Sequence, residues 1–240
     1  MRFPLPLSAK LVKARAARFW QTGLSNPLME FADASEFLHS GSAHPVSHKK
    51  MQAIIASPAP ALWVGGSEPL DHPGIAHFLR AIAHSGHFVF LETAGTLLRR
   101  RIHEFQPLPQ VFLTVRLDAP ETAAPELAVE GIRAARLSGF FTAIHSRVRE
   151  DSNIRELHRL RDFLSELHVD GWLISAATGG DAVTRKAAEA LALIPNSQWR
   201  RFSRLVERVL LSRAITNELH QDSIAAKPLP ETYGEGVKVT

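Results

Sequence analysis

Cysteine is absent from all 240 residues. That absence removes disulfides, thiolate metal ligands and a cysteine nucleophile at once, and leaves metal chemistry to histidine and carboxylate side chains. Long apolar runs are missing as well. No stretch reaches the roughly 18 residues of a membrane-crossing helix, so no transmembrane segment is expected. The opening segment MRFPLPLSAKLVKARAARFW is basic, but its apolar part is short and no small-residue cleavage site follows it. A secretory signal is therefore not expected, and the cytoplasm is the expected compartment. The same segment has no acidic residue beside Arg2, Lys10, Lys13, Arg15 and Arg18. No zinc finger, RNP pattern or aromatic-rich basic groove points to nucleic acid. A P-loop, a dinucleotide fingerprint and a Ser-His-Asp pattern are not seen either.

What is present fits a soluble globular chain: 45% hydrophobic and 22% charged residues, in a length sufficient for one large domain. The net charge of +4 is carried in clusters. LLRRRIH contributes Arg99, Arg100 and Arg101, and WRRFSRLVERVLLSR contributes Arg200, Arg201, Arg204, Arg208 and Arg213. Such clusters are either solvated helix faces or docking surfaces for a protein or an anionic membrane.

Short β-rich apolar runs recur along the chain at 27–31, 61–65, 87–93, 111–118, 140–146 and 171–177. Amphipathic helical stretches separate them. Pro73 is placed to open one helix and Gly86 to end it. Asn153 is placed to cap another, in which Ile154, Leu157, Leu160, Phe163, Leu164 and Leu167 recur near the helical period. Helices are also expected at 8–20, capped by Ser8, and at 197–220, capped by Ser197. Successive βα units imply parallel strands joined by right-handed crossovers, in either an open doubly wound sheet or a barrel, whole or partial.

The segment VGGSEPLDHPGIAHFLRAIAHSGHFVFLETAGTLL, residues 64–98, resembles the second and third βα units of radical S-adenosylmethionine (radical SAM) enzymes. In that family one strand ends in a Gly-Gly-Glu-Pro turn and the next near Thr-Asn-Gly-Thr. Gly66, Ser67, Glu68 and Pro69 occupy the first motif, and Thr93, Ala94, Gly95 and Thr96 the second. VRLDAP (115–120) is similar to the family's Ser-Leu-Asp-Gly-Pro segment, and VDGWLISAA (169–177) to its sixth strand. The resemblance covers roughly residues 27–178 and implies an α/β fold, a partial (βα)6 TIM-type barrel of parallel strands. The wording of the last strand resembles that of the branch that includes adenosylhopene-forming enzymes. The expected organisation is a basic helical extension (1–26), the barrel (27–178), a C-terminal helical region (179–221) and a flexible tail (222–240).

Under that alignment MEFADASEFLHSGS, residues 29–42, stands where the family carries Cys-x3-Cys-x2-Cys. The cysteine positions fall on Ser35, His39 and Ser42. Iron–sulfur clusters are held by thiolates, with histidine an occasional substitute, and serine is a hard, high-pKa oxygen donor. The 4Fe–4S cluster of the family is therefore expected to be lost, and with it the electron that cleaves S-adenosylmethionine (SAM). A replacement metal site from His39, His44 and His48 is weighed and not expected.

By the same resemblance Gly66, Ser67, Glu68, Pro69, Thr93 and Gly95 stand for SAM-binding turns, but Ala94 replaces a customary Asn. Arg116 occupies a position at which the family has a small hydroxyl residue, so SAM binding is expected to be weak or absent. By the two-residue period of a strand, Arg116 and Asp118 share a face with Phe112 and Thr114, taken to look into the barrel. An internal ion pair of Arg116 with Asp118 or Glu92 is expected. The other reading is an anionic ligand in the emptied site. His145 is expected as a hydrogen-bonded barrel residue. Two functions follow. The first is a non-catalytic binding or accessory partner of an active radical SAM homologue or pathway enzyme, with peripheral membrane contact through the basic helices. The second is an enzyme that reuses the barrel mouth, with Glu68, Arg116, Asp118 and His145 as its polar groups.

Overall fold

Runs dense in Val, Ile, Leu, Phe and Trp fold as strands because both of their faces find cover, the pattern of a buried parallel sheet. The computed structural model describes residues 1–20, 27–34, 48–118 and 126–225. Six strands are present: β1 (Met29–Asp33), β2 (Ala61–Gly65), β3 (Phe88–Thr93), β4 (Val111–Arg116), β5 (Phe141–Val148) and β6 (Gly171–Ala176). They lie side by side in chain order and every pair is parallel. The described helices are α1 (Leu5–Trp20), α2 (His48–Ile55), α3 (Ile75–His84), α4 (Leu98–Arg101), α5 (Glu126–Leu137), α6 (Ile154–Glu166), α7 (Asp181–Ala190) and α8 (Ser197–Ala225). The result is an α/β half-barrel of TIM type with flanking helices.

Strand register builds an aromatic ladder on the concave face. Trp63, Phe90, Phe112 and Phe141 are successive register partners on β2, β3, β4 and β5. Their rings stack with centroids 5.9, 4.5 and 5.3 Å apart. Phe202 of α8 packs on Phe90 from the open side at 4.8 Å.

Helix α8 bridges the two strands that a partial barrel leaves unpaired. On β6, the Ile174 N–H donates to Ser203 Oγ (3.2 Å) and the Ala176 N–H to Glu207 Oε1 (2.8 Å). These side chains satisfy edge donors that a seventh strand would otherwise take. At the other edge the Arg213 guanidinium donates to Asp33 of β1 and lies 3.9 Å above the Phe31 ring. Gly171 opens β6 because a Cβ there would stand 2.5 Å from the Trp199 ring. Trp199, in turn, meets Phe3, which leads into α1, edge to face at 4.8 Å.

The structure corrects several helix starts. α1 begins at Leu5 rather than Ser8, since Pro6 fits a first turn and Ser8 N–H already donates to Pro4 O at 3.0 Å. α3 begins at Ile75, two residues after Pro73, because the Gly74 N–H turns back to His72 Nδ1 at 3.1 Å. α8 starts at Ser197, but its cap is Asn196, whose Oδ1 accepts from Gln198 N at 2.8 Å. It also runs on to Ala225, beyond residue 220. The Asn153 cap on α6 forms as expected, with Oδ1 2.9 Å from Arg155 N. β4 ends at Arg116, so Asp118 lies just past the strand.

Candidate functional site

One step above the aromatic ladder, toward the carboxyl ends of the strands, the concave face turns polar. Functional groups of TIM-type barrels gather at that end. Glu92 on β3 accepts from Trp63 Nε1 of β2 at 3.2 Å and bonds His145 Nδ1 of β5 at 2.7 Å. His145 Nε2 lies 2.8 Å from Ser175 Oγ on β6. The chain of bonds climbs as it crosses the sheet. Glu92 is level with Thr114 and Ala143, two residues below His145, and His145 is level with Leu173, two residues below Ser175. This stagger is what strand tilt in a barrel produces.

The site is closed to solvent: His145 is 0% exposed, Ser175 1% and Glu92 8%. Burial alone would raise the Glu92 carboxyl. The opposing hydrogen bond and charge of His145, the Trp63 indole and, last, the charge of Arg116 outweigh it and hold Glu92 at about 2. An ionised Glu92 can only accept, so His145 Nδ1 carries the proton toward it. At the other side of the ring Nε2 pairs with the Ser175 hydroxyl. This is the order of contacts that orients an imidazole behind a hydroxyl nucleophile. Thr114 Oγ1, buried in the same interior, has no hydrogen-bond partner among the described residues.

The two turns singled out in the sequence are joined by one side chain. Glu68 caps a short 3₁₀ turn, Pro69–Asp71, through Leu70 N at 3.2 Å. The same carboxylate accepts from Thr93 Oγ1 at 2.5 Å and from Ala94 N at 2.7 Å. Thr93 Oγ1 also accepts from Gly95 N at 3.0 Å. Gly66 adopts φ +99°, and a Cβ there would lie 2.5 Å from Asp33 Oδ1, so both conformation and space require glycine. Ser67 is exposed beside it and Pro69 is buried.

The expected ion pair of Arg116 is not among the described contacts. Both candidate partners are engaged elsewhere. Glu92 faces His145 and Trp63, and Asp118 accepts from the backbone N of Arg147 at 2.9 Å, with the guanidinium groups of Arg147 and Arg149 at 3.7 and 3.9 Å. Arg116 acts on Glu92 through its charge. Arg116 is half-buried at the end of β4 and in register with His145.

Glu68, Pro69, Thr93 and Gly95 are thus brought together, as are Glu92 and His145. Ser175 and Trp63 were not singled out in the sequence, although Ser175 is the polar residue on the inward face of β6 and period-two counting would have found it. The Ser-His-carboxylate pattern is absent in linear order but present in space. The positions Ser35, His39 and Ser42 lie outside the described residues, as do His44 and the His48 side chain. Among the described residues no cluster of His, Asp or Glu could hold a metal ion. The donor chemistry of the chain does not fit an iron–sulfur cluster, because no residue supplies a thiolate.

No family model and no curated protein matches the chain. Solved structures do. SuiB of Streptococcus suis bound to S-adenosylmethionine is 13% identical, with TM-score 0.54 over 75% of this chain and 50% of that one. SuiB bound to the precursor peptide SuiA is 14% identical, with TM-score 0.54 over 75% and 49%. SuiB itself is 12% identical, with TM-score 0.53 over 80% and 52%. The chain shares the fold of these SuiB structures and spans about half of their length.

Proposed function

We propose that this chain is a radical-SAM-like barrel that has lost its cluster chemistry and acts as a non-catalytic binding or accessory protein. The observation that carries the reading is a barrel of this fold without a single cysteine. At Ser35, His39 and Ser42 oxygen and imidazole donors replace the three sulfurs that the resemblance implies. The interior supports the same reading. Glu68 spends its carboxylate on the Thr93 turn, and α8 fills the open side with Phe202 and Arg213. The expected partner is an active homologue or an enzyme of the same pathway.

Anaerobic reconstitution with iron and sulfide tests it: the protein is expected to gain no iron–sulfur absorbance and to leave SAM intact under reductant. Stoichiometric iron and sulfide with SAM cleavage would overturn it.

A second reading, an enzyme that reuses the barrel mouth, rests on the Glu92, His145 and Ser175 chain. Because the site is closed to solvent, that reading requires the interior to open to a ligand, and it expects a serine-directed fluorophosphonate to label Ser175 in the native protein and not in the His145→Ala variant. Absence of labelling counts against that reading.

A further inference from the structure

Helix α1 has two apolar sides, and the protein uses one. The inner side is fixed by Leu7, fully buried, and by Lys10, whose ammonium donates to Gly86 O and lies 5.9 Å from the Phe88 ring centroid. Phe3, just before the helix, anchors the same side against Trp199 and Phe202. Leu5, Ala9, Val12 and Ala16 recur at i, i+4, i+7 and i+11, which places them on one stripe of the helix. That stripe is opposite Leu7. Leu5 is 77% exposed and Val12 64%, and both alanines are exposed. Lys13 and Arg15 flank it, also exposed. The first acidic residue in the chain is Glu30, so no carboxylate of the helix offsets these charges.

A lone exposed leucine means little, but an apolar ridge between cations, with no acid, has a specific complement. An anionic lipid surface meets both parts: the ridge enters the acyl boundary while Lys13 and Arg15 meet the headgroups. Basic groups continue beyond the helix, with Arg2, Arg136 and Arg161 lining one groove. Asp162 pairs with Arg161 and Asp170 of the groove accepts from Thr142 N, so the groove's cations outside that pair are Arg2 and Arg136.

We infer that the solvent face of α1, with Leu5 and Val12 as its apolar ridge and Lys13 and Arg15 beside it, docks the protein on anionic membrane surfaces. Gly86 and Phe88 stand at the amino end of β3, so α1 lies at the end of the barrel remote from Glu92, His145 and Ser175. Docking there leaves the mouth of the barrel toward water. This inference is independent of whether the mouth is catalytic.

The test is flotation of the full chain with vesicles of pure phosphatidylcholine and with an equimolar mixture of phosphatidylcholine and phosphatidylglycerol. Binding is expected to the mixture alone and to be lost in high salt. The double variant Leu5→Asp, Val12→Asp and the double variant Lys13→Glu, Arg15→Glu are each expected to bind at least ~tenfold more weakly. Thermal melts of both variants should match the parent, since the altered side chains are exposed. No binding to the anionic vesicles, equal binding to phosphatidylcholine, or unchanged binding by the Leu5, Val12 variant would overturn the inference.

Discussion

His145 Nδ1 lies 2.7 Å from Glu92 Oε1, although their strands, β5 and β3, are separated by β4. Two side chains can meet over an intervening strand only when the sheet curls toward them. With Trp63 below and Ser175 above, the bond belongs to a polar seam that runs from β2 to β6 inside the half-barrel.

The first prediction concerns acid. Glu92 is held at about 2 against an ordinary 4.5. A carboxyl depressed by folding stabilises the folded state above its unfolded value and loses that contribution as the pH falls toward the folded one. Urea melts should show this loss between about pH 5 and pH 2, on the order of 3 kcal/mol. Glu92→Gln should flatten that part of the profile. At neutral pH it should destabilise by ~3 kcal/mol, because it breaks a buried pair from one side. A variant as acid-sensitive as the parent would show that Glu92 is not the group responsible.

Gly171 tests the seating of α8. A Cβ would sit 2.5 Å from the Trp199 ring, while at Gly179 nothing lies within 4 Å. Gly171→Ala should cost about 1–3 kcal/mol and shift tryptophan emission to the red as the helix lifts. Gly179→Ala should leave both unchanged. Equal melts for the two variants would contradict the packing described.

The edge of β6 supplies a third. Ser203→Ala and Glu207→Ala each strip an acceptor from a strand N–H, and each should cost roughly 1–3 kcal/mol. Glu207→Gln keeps a carbonyl oxygen in place and should recover most of the loss. Amide exchange at Ile174 and Ala176 should quicken in the alanine variants.

The fourth concerns SAM. Arg116 puts a positive charge beside the strand ends, and SAM carries a sulfonium and an ammonium. Calorimetry should find weak or no binding to the unmodified protein, and Arg116→Ser should bind SAM ~tenfold more tightly, worth ~1.4 kcal/mol. Tight binding to the unmodified protein would defeat this expectation.

Strand positions were legible in the sequence because each strand carries its own signal: an apolar run of strand length, bounded by helix ends. Their order in the sheet followed only from the family resemblance, since the runs alone fit an open sheet or a barrel. The Gly66 to Pro69 turn and the Thr93 to Gly95 turn were legible through the family resemblance, and the structure adds that Gly66 and Gly95 take backbone angles that glycine adopts readily. The missing cysteines, and the loss of cluster chemistry proposed from them, required no coordinates.

What the sequence left open depends on curvature and register. Glu92, His145 and Ser175 are more than fifty and then thirty residues apart, and their contact arises from the tilt of strands around a closed interior. Arg116 looked like half of an ion pair until register gave Glu92 to His145 and backbone geometry gave Asp118 to Arg147. The apolar ridge of α1 was equally hidden. A helix with leucine and valine on two sides does not reveal which side is buried, and only the docking of Phe3, Leu7 and Lys10 left Leu5 and Val12 in water. Local pattern sets the elements. Which side chains meet across them is a property of the packed sheet.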